Sequence, residues 1–178
     1  MSFLVTACGH SGTKLFAEQL GKARGWTVKH EPDEGISWRI VSPRFEVKPN
    51  YGEVNSYLLT SIQGIKADRK GILLRNPYDI CRSIARTGYG QYAIPYVREC
   101  VSILDNLASK KLLVFLFRKI TSDVDYVVSS AKQLGITLDP NQVDVETKVN
   151  RHLGNPVSLT FDTITQLEFD DFMERYDL

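Results

Sequence analysis

The 178-residue chain has no apolar run long enough to cross a bilayer. Its longest, Leu112 to Phe117, spans six residues, against the roughly 20 that a membrane helix needs. Cysteine is sparse: Cys8, Cys81 and Cys100, with no CxxC pair. An odd count without ligand spacing argues against a disulfide framework and a zinc site, and suits reduced, buried thiols. Neither sign of charge dominates, since 22 basic and 21 acidic residues leave a formal +1. That balance argues against a general nucleic-acid coat and a polybasic membrane binder. Internal repeats and low-complexity stretches are absent. The opening MSFLVTACGH is too short for a signal-peptide apolar region with its flanks. The expectation is a soluble, cytoplasmic protein with neither nucleic acid nor membrane as partner.

What is present is a globular composition, 43% hydrophobic and 24% charged, in a length that suits one domain over residues 1–178. A chain of this size buries roughly 70% of its unfolded surface, so its core needs no staple. Charge is unevenly placed. From Phe161 to Leu178 there are six acids and one base, a net −5, which leaves about +6 for the rest of the chain. The expectation is a mildly basic body, suited to an anionic ligand, with an acidic helical tail from about residue 161.

Apolar runs alternate with helix-forming stretches. Phe3 to Cys8 reads as a buried strand that stops at Gly9, and Thr13 to Ala23 as a helix. Trp26 to Lys29 reads as a second strand leading into His30-Glu31-Pro32. Asp33 to Gly52, with Pro43 and Pro49 inside it, reads as loop with partial helix, and Ser56 to Ile65 as helix. Gly71 to Leu74 is a continuous apolar strand ending at Arg75. After it, Asn76 is an N-cap, Pro77 suits the first helical position and Asp79 the first turn, of a helix to about Arg86. Further helices are expected at Tyr96 to Ala108, at Ser122 to Leu134 and at Thr163 to Tyr176, with a strand at Leu112 to Phe117. Such alternation predicts an α/β domain, a mainly parallel sheet covered by helices on both faces in three α/β/α layers.

Two stretches carry chemistry. Gly9-His10-Ser11-Gly12-Thr13-Lys14 lies where the first strand meets the first helix. Backbone N–H groups and the helix dipole at such a junction favour an anion, two glycines let the chain curl around it, and Ser11, Thr13 and Lys14 add donors. The Walker A pattern G-x-x-x-x-G-K-[ST] is not met, because Thr13 stands between Gly12 and Lys14. The second stretch is Arg75-Asn76-Pro77-Tyr78-Asp79-Ile80-Cys81-Arg82-Ser83. It places a guanidinium at the carboxyl end of a strand, the ligand edge of an open α/β sheet, with Ser83 about two turns into the next helix. Nucleoside triphosphatases hold magnesium with a carboxylate at such a place. Here the two later strands end in Arg75 and Arg118, cations that contact a phosphate or sulfate ester directly, so no metal is expected.

Together these stretches resemble the sulfotransferase family that uses 3′-phosphoadenosine 5′-phosphosulfate (PAPS). His10-Ser11-Gly12-Thr13-Lys14-Leu15 takes the place of its loop [KR]-S-G-T-[TS]-[WL], and Arg75, Pro77, Asp79 and Ser83 match every fixed point of its R-x-P-x-D-x-x-x-S signature. Similarity continues through Leu112 to Gly135 and spans most of Phe3 to about His152. The resemblance implies a P-loop NTPase-like fold and transfer of a sulfuryl group from PAPS, leaving PAP, to a hydroxyl or amine of a small molecule or glycan. It implies that the loop Ser11, Gly12, Thr13 and Lys14 holds the 5′-phosphosulfate, with Gly9 and His10 also among the cofactor-binding residues, and that Arg75 and Ser83 hold the 3′-phosphate. It also implies late cofactor contacts from Lys148 to His152, with Asn150 and Arg151 as ligands, although the family's R-K-G pattern is absent there. His10 replaces the Lys or Arg that steadies charge on the leaving phosphate, and Lys14 is the candidate to supply the missing charge. His30 and Glu31 are the candidate general bases, and Glu53 is a further carboxylate. Trp38, Phe45, Tyr51, Tyr89, Tyr92 and Tyr96 are candidates to line an acceptor or adenine pocket. Two other readings stay open: a protein that holds PAP or PAPS without catalysis, and a small P-loop kinase. Nothing in the sequence indicates an oligomer.

Overall fold

A computed structural model describes residues 1–32, 45–145 and 158–178. Its centre is a five-stranded, all-parallel sheet in the order β2-β3-β1-β4-β5. The strands are β1 (Ser2–Ala7), β2 (Thr27–His30), β3 (Tyr51–Val54), β4 (Arg69–Leu74) and β5 (Leu113–Leu116). Helices α1 (Thr13–Leu20), α2 (Pro77–Ile84), α3 (Gly90–Ala108), α4 (Phe117–Ile120), α5 (Val124–Gln133) and α6 (Thr163–Tyr176) complete the described elements, with 3-10 turns at Ser56–Leu58 and Pro140–Gln142.

The central strand shows why the sheet is covered twice. Every residue of β1 is buried, and the two-residue period of a strand sends alternate side chains to opposite faces. Leu4 joins Ile72, Leu74, Cys81, Val97, Leu104, Phe169 and Phe172 in one core, beneath α2, α3 and α6. Phe3, Val5 and Ala7 join Phe16, Leu20, Leu73, Phe115, Val127 and Ala131 in the other, beneath α1 and α5. The domain is therefore a three-layer α/β/α arrangement, as the alternation of elements predicts. At Gly52 a Cβ would stand 1.9 Å from the Phe3 ring, so glycine there is what lets that ring cross β3 to reach Trp26, 5.8 Å away between centroids.

Several boundaries differ from the sequence reading. The loop expected to Gly52 ends earlier, because Tyr51–Val54 pairs with both β1 and β2. Tyr51, Gly52, Glu53 and Val54 mix aromatic, glycine, acid and aliphatic, and a four-residue strand sandwiched between two others needs no alternation. The helix expected over Ser56 to Ile65 is a single 3-10 turn followed by further turns. Asn55 accounts for its start by accepting from the Tyr57 N–H. Helix α3 begins at Gly90, six residues ahead of expectation, and carries Pro95 in its first turns. Between α2 and α3, Ala85–Tyr89 forms a π-turn in which Gly88 has φ +89°. Strand β5 stops at Leu116, and Phe117 and Arg118 already belong to α4. Asp123, rather than Ser122, caps α5 by accepting from the Tyr126 N–H. Helix α6 occupies the span expected of it.

Candidate functional site

The chain leaves β1 for β2 on one side of the sheet and leaves β4 for β5 on the other. The carboxyl ends of β1 and β4 therefore flank the topological switch point, where open α/β sheets form their ligand crevice. Gly9 to Gly12 follow β1 at this point, and Arg75 follows β4.

The loop is held in a definite shape. Ser11 N–H donates to the Cys8 carbonyl at 3.2 Å, and Phe16 N–H to the Gly12 carbonyl at 3.1 Å. His10 has φ +64° and Gly12 φ +85°. A Cβ at Gly12 would lie 2.1 Å from the Phe117 ring, so sterics and dihedral both require glycine. No side chain among the described residues caps α1, and the first N–H groups of a helix have no intrahelical acceptor. Ser11 is fully buried, and its Oγ has no partner among the described residues. Lys14 is exposed on the first turn. The Gly9 N–H is taken within the protein, donating to the Tyr96 hydroxyl at 3.0 Å.

Arg75 meets this loop directly. Its Nη1 donates to the His10 carbonyl at 3.0 Å, and its guanidinium lies 4.5 Å from the centroid of the Phe117 ring. The buried Nε has no acceptor among the described residues. Burial lowers the Arg75 pKa, Asp79 partly offsets this, and a guanidinium so placed stays charged. Ser83 reaches the loop from α2, with its Oγ 3.2 Å from His10 Nδ1. Asn76 orients the start of that helix by accepting from the N–H groups of Tyr78 and Asp79. One residue, His10, thus touches both anchor points of the second sequence motif, by its carbonyl and by its ring.

A second polar group lies at the end of β2. His30 Nε2 is 2.9 Å from Thr13 Oγ1 and 3.6 Å from Glu31 Oε2. Glu31 has φ +42°, and its Oε1 accepts from the Ser56 N–H at 3.3 Å and from the Ser56 hydroxyl. The contacts to Thr13 and Glu31 fall on the same nitrogen, so Glu31 does not relay through the His30 ring to Thr13. A nucleophile triad would need the carboxylate on the opposite ring nitrogen.

The remaining candidates divide clearly. Glu53 is buried in β3, accepting from the Tyr51 hydroxyl at 2.6 Å and from Asn55 Nδ2 at 3.1 Å. Those bonds give the Glu53 carboxylate a structural place. Tyr51 is likewise buried, with Phe45 at 5.9 Å between ring centroids. Tyr89, at the end of the turn between α2 and α3, and Tyr92, at the start of α3, are exposed. Arg118 does not join Arg75 at the crevice, because β5 ends two residues before it; the guanidinium pairs with Asp177 at 2.8 Å. Trp38, Asn150 and Arg151, with the rest of Lys148 to His152, lie outside the described residues. Phe117 was not a candidate from the sequence, yet it supports both Gly12 and Arg75. A single aromatic at a strand terminus carries no local signal of such a role.

The donor set here is chemically one-sided. Ser11 Oγ, Arg75 Nε, the open first turn of α1 and Lys14 are donors or cations, and they suit a phosphate or sulfate ester better than a cation. No known protein-family model matches the chain, and no curated protein matches it significantly.

Proposed function

We propose that the chain is a PAPS-dependent sulfotransferase built on a P-loop NTPase-like domain and acting in the cytoplasm. The observation that carries this reading is the meeting of Arg75 and Ser83 with the Gly9–Thr13 loop through His10. Two motifs separated by more than sixty residues converge at the switch point, in the order and pairing that a ligand charged at both ends requires. In this reading Ser11, Gly12, Thr13 and Lys14 take the 5′-phosphosulfate, and Arg75 and Ser83 take the 3′-phosphate. Ser11 Oγ and Arg75 Nε are buried without a partner among the described residues, and a bound ester would satisfy them. His30 is the general-base candidate beside the sulfuryl end of the site, and Glu31, anchored on Ser56, sets its position. Catalysis then rests on positioning and on fixed donors at developing charge, with a hydroxyl or amine of a small molecule or glycan as acceptor.

Two observations favour a second reading, a protein that holds PAP without catalysis. His30 Nε2 is already engaged by Thr13, and His10 stands where a fixed cation would. A single experiment separates the two. Thermal unfolding is followed with PAP and with ATP, and labelled PAPS is offered with an acceptor panel. The sulfotransferase reading expects a larger shift with PAP than with ATP, and label on an acceptor. Equal shifts overturn the 3′-phosphate assignment. A PAP shift without transfer to any acceptor supports the second reading.

A further inference from the structure

His10 joins the two phosphate-holding motifs by its ring and its carbonyl, and an imidazole is titratable. Its ring nitrogen Nδ1 stands 3.2 Å from Ser83 Oγ, and its carbonyl accepts from Arg75 Nη1 at 3.0 Å. The backbone holds it there at φ +64°, a conformation that non-glycine residues rarely take. Building on the sulfotransferase reading, we infer that nucleotide binding at this site takes up a proton on His10.

The chemistry follows from the hydrogen-bond inventory. A neutral imidazole with its proton on Nε2 accepts at Nδ1, so the Ser83 hydroxyl proton is spent on His10. An imidazolium donates from both nitrogens, so Nδ1–H turns to Ser83 Oγ and the Ser83 hydroxyl proton is released to a phosphate oxygen. The proton comes from solvent and rests on the ring; no bond in the ligand changes. An anion nearby favours the charged ring, and an imidazole's ordinary pKa of about 6.5 places the change within the working pH range. By linkage, a ligand that favours the protonated ring binds more tightly as pH falls.

Other groups at this end of the sheet bear on the same site. Arg75 lies after β4, and Lys14 on α1. On α2, Asp79 is paired with Arg82 at 3.0 Å. Tyr96 on α3 carries a phenol whose pKa burial raises far out of range. The His30–Glu31 pair follows β2. Arg75 and Lys14 oppose a charge on His10, and an arriving dianion favours it. His30 carries a second imidazole among the described residues at this end of the sheet, and the test must separate it.

The affinity for PAP is measured by calorimetry from pH 5.5 to pH 8.5, in buffers of different ionisation enthalpy, for the native chain, His10→Lys, His10→Asn and His30→Gln. Titration of the nucleotide's own phosphates is common to all four. The native chain and His30→Gln should take up a fraction of a proton approaching one more than His10→Lys and His10→Asn do. Their affinity should weaken by up to tenfold per pH unit relative to the two variants above about pH 7. Asparagine tolerates the positive φ, so His10→Asn keeps the test valid if lysine disturbs the loop. Equal proton uptake in the native chain and both His10 variants overturns the inference and leaves the sulfotransferase reading intact. Loss of the linkage in His30→Gln alone moves it to His30 and overturns it equally. No PAP binding by the native chain at any pH overturns the reading and the inference together.

Discussion

A methyl group at position 12 would have to displace the Phe117 ring, on a backbone already at φ +85°. Left-handed backbone costs an L-residue about 1–2 kcal/mol, and an overpacked contact adds about 1–3 kcal/mol. Gly12→Ala should therefore lose about 2–5 kcal/mol of stability in denaturant unfolding; a loss below about 1 kcal/mol would mean that the ring moves freely. The same ring lies under Arg75, so the two sites are coupled. Arg75→Ala removes a charged donor from the proposed 3′-phosphate position. A hydrogen bond to a charged group contributes about 1.5–3 kcal/mol, so PAP affinity should fall more than tenfold. Arg75→Lys should recover only part, because an ammonium lacks the fork that reaches both the His10 carbonyl and a ligand. Full recovery by lysine would show that charge alone matters here.

Helix α6 is attached to the body by two kinds of contact, and they respond to different perturbations. Phe169 is fully buried and meets the Tyr78 ring edge-on at 5.3 Å between centroids. Truncating a buried Phe costs about 3–5 kcal/mol, so Phe169→Ala should lower the denaturation midpoint by that order. A polar rim surrounds the ring. Asp162 caps the helix by accepting from the Thr165 N–H at 2.7 Å, and Arg98 holds Glu168 in a two-point pair at 2.7 Å. The hydrogen bond from Thr165 lowers the Asp162 pKa, and the bond from Arg98 lowers that of Glu168. Both folded values lie below the unfolded ones, so their stabilisation is complete above the unfolded values near 4 and is lost as pH falls through the folded values. Amide exchange followed from pH 7 to pH 3 should show α6 losing protection below about pH 4 before the sheet does. Simultaneous loss everywhere would mean that the rim adds nothing local.

At the scale of the molecule, a five-stranded parallel sheet covered by helices on both faces supplies the rim, and the chain's switch of direction sets the carboxyl ends of β1 and β4 side by side. If PAP is the ligand, its binding to the folded state alone stabilises the whole domain. At about 100 times its Kd that is about 2.7 kcal/mol, which for a chain of this length raises Tm by roughly 5–11 °C. ATP at the same concentration should give a smaller rise, because Arg75 and Ser83 then lack their anion. Differential scanning fluorimetry with both nucleotides measures this difference directly. The net −5 of the Phe161–Leu178 segment opposes this anion site only weakly, since Glu168 and Asp177 are paired with Arg98 and Arg118.

Local chemistry was enough to read the α/β class, β1 and β4, helices α1, α2 and α6, and the two motifs, because each is announced by an apolar run, a cap or a glycine pair within a few residues. Asn76, Pro77 and Asp79 wrote the start of α2 in this way. The strand at Tyr51–Val54 was missed because its burial comes from its two neighbours in the sheet, not from its own composition. Arg118 looked equivalent to Arg75 because both follow apolar runs; a strand two residues shorter than expected and an acid 59 positions away drew it elsewhere. Which side chains meet at the crevice was likewise decided by folding. Phe117 beneath Gly12, Tyr96 on the Gly9 N–H and His10 between Arg75 and Ser83 are contacts across 65 to 105 residues. Such pairings depend on strand order and helix direction, which bring together positions that no local pattern relates.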